Sequence, residues 1–201
     1  MDKIRKQSYI LGAISILLIA FDQITKMITL GANILGSGFK GIAQGEIIPF
    51  IGDFIQFTYV QNPGMAFGIS FGAGKILLSL FSIVASAALV WYFIKIEKYS
   101  LGLRSAIAFI FAGAFGNLID RVFYGLWFGS GLDKLFYGNV VDFIMVDIPD
   151  INIGPLHYSH WPVFNIADAC VTLGVIILLV NYKKIPQFED LKTKDNEISD
   201  K

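Results

Sequence analysis

Charge is scarce in this chain. Of its 201 residues only 16% are charged, against 55% hydrophobic, whereas soluble domains carry about a quarter charged residues. The 16 basic and 16 acidic residues cancel, so there is no basic excess to hold nucleic acid, and no DNA- or RNA-binding motif is visible. Cysteine is nearly missing: Cys170 alone cannot form an intrachain disulfide, and as a small residue it reads as packing. Histidine is limited to His157 and His160 in one short stretch. Two histidines three apart in a surface loop, without a third ligand at an evident spacing, are a poor basis for a metal site. A small-x-small cleavage site is also lacking after the first apolar run, which continues past Ala20. That argues against a removable leader, although Lys3, Arg5 and Lys6 precede the run as they would in one.

What the chain has instead is long apolar stretches. A spanning helix needs roughly 20 mostly apolar residues to cross a hydrocarbon core about 30 Å thick. Four stretches are candidates: Tyr9 to Leu30, Ile76 to Ile94, Ser105 to about Ile119, and Ile166 to Tyr182. The second has no charge, and the third is short. The fold class expected is an all-α polytopic membrane protein with four transmembrane helices. Lysine and arginine in the short connections set the orientation. Lys3, Arg5 and Lys6 precede span one; Lys95, Lys98 and Arg104 lie between spans two and three; Lys183 and Lys184 follow span four. Both termini are therefore expected in the cytoplasm and both long connections outside. Within the first of these, Glu46–Phe50 and Asp53–Gln61 are rich in aromatic and β-branched residues and suggest a small extracytoplasmic sheet. Residues 1–186 form one domain in this reading, and the polar tail 187–201 is a disordered cytoplasmic extension.

Polar residues inside the apolar stretches carry the functional signal. An ionised group at a helix centre costs about 2.5–3.5 kcal/mol on the insertion scale, so it faces a bundle interior and has a partner. Asp22 and Lys26 interrupt span one, four residues apart on one face, and can pair. Such a pair could simply lock the bundle. At 1.5 Å per residue Asp22 lies roughly 12 Å below the outer end of its helix. Span three ends in Asn117, Asp120 and Arg121, after Ala112, Gly113 and Gly116 that permit close helix approach; an interfacial anchor would also explain the arginine. Asn165 and Asp168 open span four with the spacing of a helix cap. Asp142 is a lone acid in an apolar run, Val140 to Ile144. Each has a bland explanation by itself. Together the topology puts Asn117, Asp120, Arg121, Asp142, Asn165 and Asp168 in one thin layer near the outer membrane face, with Asp22 a little deeper. Carboxylates, a guanidinium and amides gathered at one depth favour a functional site over separate anchors.

These residues resemble a known pattern. Asp22-Gln23-x-x-Lys26, Asn62-x-Gly64-x-Ala66-Phe67, Gly113-Ala114-x-Gly116-Asn117-x-Ile119-Asp120-Arg121, Val140-Val141-Asp142-Phe143 and Phe164-Asn165-x-Ala167-Asp168 occur in the order found in signal peptidase II, the bacterial lipoprotein signal peptidase. The resemblance implies an intramembrane aspartic endopeptidase of the bacterial cell membrane, with Asp142 and Asp168 as catalytic dyad. It implies that Asn62, Gly64, Asn117, Arg121 and Asn165 line the site or hold the substrate backbone, with Asp22, Lys26 and Asp120 supporting its architecture. The substrates implied are prolipoproteins whose lipobox cysteine already bears diacylglycerol, met within membrane lipid and cut just before that cysteine. Globomycin is the inhibitor implied, and no cofactor or metal is. Ala112 stands where the pattern has glycine, and Met65 where it has alanine; both are packing positions. The stretches Arg121–Asp142 and Asp142–Asn165 are longer than the pattern suggests, with Gly125–Asp133 and Val146–His160 as insertions that bear on substrate access.

Three other classes fit the sequence less well. A proton-coupled transporter would also place Asp and Arg inside the membrane, but short helices bracketing acids at one face build no path across it, and the inner halves of the spans lack ionisable groups. A metal site would rest on the two histidines alone. A structural scaffold would account for the helices and not for the five motifs.

Overall fold

The computed structural model describes residues 2–31, 40–64, 74–128, 132–153 and 156–186, the side chains of 151–158 excepted. The tail 187–201 and Met65, Ala66 and Phe67 of the second motif lie outside the described residues. Five helices and four strands run in the order α1 (Lys3–Leu30), β1 (Ile47–Ile51), β2 (Ile55–Asn62), α2 (Gly74–Lys95), α3 (Leu101–Ile119), α4 (Gly125–Phe128), β3 (Val140–Ile153), β4 (Leu156–His160) and α5 (Ile166–Val180). A π-helical turn, Asp120–Tyr124, joins α3 to α4 without a break.

Among the described residues, three helical stretches are long and apolar enough to cross a membrane: Lys3–Leu30, Gly74–Lys95 and Leu101–Phe128. The third is therefore not short. It spans 28 residues, because two groups of polar residues that look like ends in sequence lie within the helix. At its start Arg104 is buried, donating to Ile4 O, Ser8 Oγ and Gln7 Oε1 of α1. Arg104 is thus a helix residue rather than a loop charge, and an exception to the absence of ionisable groups in the inner half. At the other end the π turn carries Asp120 and Arg121 onward. The last helix, α5, is apolar but has only 15 residues.

Helix α3 is the hub, packing on α1, α2 and α5, while α1 also touches α5. Close approach to α5 depends on glycine. A Cβ on Gly113 would collide with Ala167 O and Val171, and one on Gly116 would stand 2.8 Å from Asp22 Oδ2 and 3.1 Å from Ala167 Cβ. At one end of the bundle Ile96, Leu103 and Ile107 form an apolar cluster. Outward-facing Leu77, Phe81, Val84 and Ile94 of α2 are exposed, as expected of a helix whose solvent is lipid. At the opposite end the buried residues include Asp22, Lys26, Asn117, Asp120, Asp142 and Asn165. Apart from Arg104 and its partners on α1, the first end is packed by apolar side chains, whereas the second is rich in buried polar ones.

Over the polar end lies a four-stranded antiparallel sheet of order β1-β2-β3-β4. The expected pair of strands is present as β1 and β2. Two further strands come from segments read from sequence as an apolar run and an inserted loop. Asp142 sits on β3, opposite Val60, and the described residues of the Val146–His160 insertion belong to β3 and β4, paired antiparallel, so that His157 and His160 occupy a strand rather than a loop. Parts of this segment are too polar and too interrupted by Asp147, Pro149 and Asp150 to read as a strand in isolation; pairing between neighbours holds it. Of the insertion Gly125–Asp133, residues 125–128 form α4 and residues 129–131 lie outside the described part.

Candidate active site

Five elements converge at the polar end. Asn165 is the N-cap of α5: its Oδ1 accepts the N–H of Asp168 at 2.9 Å, and the Asp168 carboxylate accepts the N–H of Asn165 at 3.4 Å. This reciprocal capping box orients both side chains by bonds local to the helix start. The Nδ2 of Asn165 then reaches Asp142 Oδ1 at 2.7 Å. On its other oxygen Asp142 accepts Asn62 Nδ2 at 3.0 Å from β2. The Asn62 amide is itself held, because its Oδ1 accepts the Gly64 N–H at 2.9 Å. Gly64 turns there with φ of 83°, in the left-handed region that glycine tolerates. From α3, Asn117 donates to Asp168 Oδ1 at 2.8 Å.

Asp142 and Asp168 are thus brought to one place from different elements, each accepting a side-chain amide N–H. Asp142 is buried and Asp168 half-buried. Burial first, and then the charge of Asp168, push the Asp142 carboxyl up from its ordinary 3.8 to about 7, against the opposing influences of Asn62, Lys26 and Asn165. A carboxyl that holds its proton near neutrality beside a second carboxylate is suited to acid–base work.

Arg121 follows in the π turn. Its guanidinium donates to Asn117 O at 3.4 Å and lies within electrostatic range of Asp168 and Asp142. That leaves donors of the planar fork available to a further group. Asp120, its neighbour, points the other way.

Below this layer lies a buried ion cluster. Lys26 Nζ is 2.8 Å from both Asp22 and Asp120 and 3.0 Å from Asn117 Oδ1. The Asp22–Lys26 pairing read from sequence is present, with Asp120 as a second acid. Both acids also hold backbone: Asp22 accepts Ala167 N–H at 2.9 Å, and Asp120 accepts Val141 N–H at 3.2 Å. These bonds fix the segments carrying Asp168 and Asp142. Sequence reading left one residue here without a role. Gln23 donates to Asp22, Gly116 O and Asp120 and accepts from Tyr124. Its signal was a polar residue inside an apolar run, overshadowed by the charges on either side.

Beside Asp168 a cavity of about 450 Å³ follows the outward face of α5, past Ala169, Thr172, Leu173 and Ile176, under Trp161 and Phe164. It is an apolar groove ending at a carboxylate. No group of three His, Cys, Asp or Glu side chains among the described residues could hold a metal.

The signal peptidase II family profile matches residues 14–183. A lipoprotein signal peptidase of Porphyromonas gingivalis is 32% identical over 203 aligned positions, covering 89% of this chain and 84% of the relative. One from Staphylococcus aureus is 33% identical, covering 96% of this chain and 98% of its own length. Among solved structures, a bacterial membrane enzyme determined by the in meso method at 1.9 Å resolution is 31% identical with a TM-score of 0.62, over 89% of this chain and 94% of that one.

Proposed function

The chain belongs to the signal peptidase II family and is an aspartic-type membrane protease, and from that premise we propose that it removes signal peptides from diacylglyceryl-modified prolipoproteins. The cut falls just before the lipid-bearing cysteine, and Asp142 and Asp168 are the reacting pair. The observation that carries this reading is the meeting of Asp142 from a strand with Asp168 from a helix, joined through Asn165.

Hydrolysis needs a nucleophilic water and a protonated leaving amine. With one proton shared by the pair, the ionised carboxylate takes a proton from water as its oxygen bonds to the scissile carbonyl carbon. The protonated carboxyl donates to the carbonyl oxygen. The carboxyl that took the water's proton passes it to the leaving nitrogen as the C–N bond breaks, and the other aspartate takes back the proton it gave to the carbonyl oxygen, which restores the carbonyl group and the single shared proton. Two adjacent carboxylates do not both ionise cheaply, so the single-proton state is the natural one. The pair titrates as a unit. Arg121, Asn62, Gly64, Asn117 and Asn165 hold substrate backbone or the dyad, and Asp22, Lys26 and Asp120 brace them. The groove along α5 gives an apolar part of the substrate a path to Asp168 from within the lipid.

In the membrane, α5 serves as the fourth span. Its 15 residues follow the buried N-cap Asn165, and together with Tyr182–Lys184 they suffice if the outer end lies within the interface. Both termini face the cytoplasm, and the sheet rests on the extracytoplasmic side of the bacterial cell membrane. Residues 1–186 work as one domain. Membrane lipid surrounds the enzyme, and globomycin-type cyclic peptides compete at the dyad. Loss of this protein in its own host, with accumulation of lipidated but uncut prolipoprotein that is reversed on restoring it, tests the reading. Normal processing without the protein contradicts it.

A further inference from the structure

The Lys26 ammonium is fully buried, with Asp22 and Asp120 at 2.8 Å and Asn117 Oδ1 at 3.0 Å. An ammonium has three hydrogens and no acceptor, so these contacts use all it has. One of them has a directional consequence. The Asn117 amide has an oxygen end and an NH₂ end, and beside a cation only the oxygen is tolerated. With Oδ1 on Lys26, the NH₂ group faces Asp168 Oδ1 at 2.8 Å. The same Oδ1 accepts Asn165 Nδ2 at 3.1 Å, and that nitrogen also donates to Asp142 Oδ1 at 2.7 Å. The oxygen of Asn165 is occupied by the Asp168 N–H. The cation therefore sets the polarity of Asn117, the helix cap fixes that of Asn165, and the donor end of each amide meets one carboxylate.

We propose that Lys26 is a positioning residue for the hydrolysis at Asp142 and Asp168, acting through Asn117 to keep an N–H donor on Asp168 and so to set the pH range in which the pair holds a single proton. The inference rests on the reading of those two aspartates as the reacting pair.

The direction of the effect follows from hydrogen-bond chemistry. A donor favours the ionised carboxylate, and an acceptor favours the protonated one. Without Lys26, Asn117 is free to turn its oxygen towards Asp168, a contact that needs a proton between the two oxygens. The pair then keeps its last proton to higher pH. Loss of the positive charge acts in the same sense, since Lys26 is among the influences that hold Asp142 down. The other groups facing this centre are Asp22 and Gln23 from α1, Asp120, Arg121 and Tyr124 from the π turn, and Asn62 from β2.

Lys26→Met alone strands two buried carboxylates, so the discriminating variant is Lys26→Met with Asp120→Asn. It converts one positive and two negative charges into one negative charge, leaving the net charge of the cluster unchanged. The measurement is cleavage of a diacylglyceryl-modified substrate by purified full-length protein in detergent across pH, normalised to folded material by size-exclusion chromatography and circular dichroism. The expected result is an alkaline limb of kcat moved up by about one pH unit, with kcat at the optimum lowered about tenfold or more and KM little changed. A folded double variant with the wild-type alkaline limb overturns the inference, whether its rate is normal or uniformly reduced, since a merely structural role lowers activity equally at every pH. Turnover by Asp142→Asn, which leaves Lys26 intact, sinks the dyad reading instead.

Discussion

Asn165 donates to the Asp142 carboxylate at 2.7 Å while its own oxygen accepts the backbone N–H of Asp168 at 2.9 Å. One amide thus ties the acid of a strand to the acid of a helix, and the capping box that starts α5 also assembles the candidate site. Helix-cap chemistry and site geometry are the same bonds here, which explains why a capping reading of Asn165 and Asp168 was sound and still incomplete.

The state of Asp142 gives a pH prediction. Its folded value is raised from 3.8 to about 7 by burial and by the charge of Asp168, so between those values the folded chain binds more protons than the unfolded one. Stability from this group is complete below the lower value and is lost as pH rises through the upper one. The Asp142→Asn variant should therefore melt above the wild type at pH 8, with the difference shrinking or reversing towards pH 4, by thermal unfolding in detergent. Wild-type cleavage should decline above about pH 7 as the shared proton is lost.

Arg121 offers a planar fork of donors next to both acids, with one bond at 3.4 Å to Asn117 O. Arg121→Lys should keep normal expression and lose most activity, because an ammonium cannot reproduce a bidentate geometry. Full activity in that variant would show that only a positive charge, or nothing, is required.

Asp22 has two tasks, pairing with Lys26 and accepting the Ala167 N–H. Asp22→Ala leaves a buried ammonium short of a partner and a backbone N–H without an acceptor, a loss of about 3–5 kcal/mol for breaking a buried pair. Reduced accumulation and a lower melting temperature should follow, at every pH between 5 and 8. Wild-type stability would mean that water replaces the carboxylate.

Topology is tested by labelling single cysteines from either side of the membrane. The exposed Asp2, Lys98 and Lys183, changed singly to cysteine, should react only from the cytoplasm, and Asp53→Cys only from outside. Label reaching a cysteine at Lys98 from outside would place the acids at the wrong leaflet.

Much of this architecture is legible in the sequence, for physical reasons. Apolar length marks the spans, and the intramembrane cost of charge marks Asp22, Lys26 and Asp120 as interior. The five motifs coincide with the segments that meet at the polar end. What sequence hides is partnership across the fold. Arg104 reads as a loop cation because nothing local shows that Ile4, Gln7 and Ser8 will receive it. The pairing of β3 with β4 is local, yet the segment reads as an insertion because Asp147, Pro149 and Asp150 interrupt any strand pattern, and what extends β3 into the sheet is its non-local pairing with β2. The π turn is invisible for a related reason: Asp120 and Arg121 need different partners, and only the assembled bundle shows Lys26 on one side and Asp142 and Asp168 on the other.

The central claim is that Asp142 and Asp168 act as one catalytic pair. The most direct measurement is cleavage of a diacylglyceryl-modified prolipoprotein by purified protein in detergent, with a metal chelator present throughout, for the wild type, Asp142→Asn, Asp168→Asn and the double variant. Groups that act as a unit are non-additive. Each single variant should therefore fold and bind globomycin while cleaving almost nothing, and the double variant should be scarcely worse. Substantial turnover by either single variant would contradict the pair, and loss of wild-type activity on chelation would assign the chemistry to a metal instead.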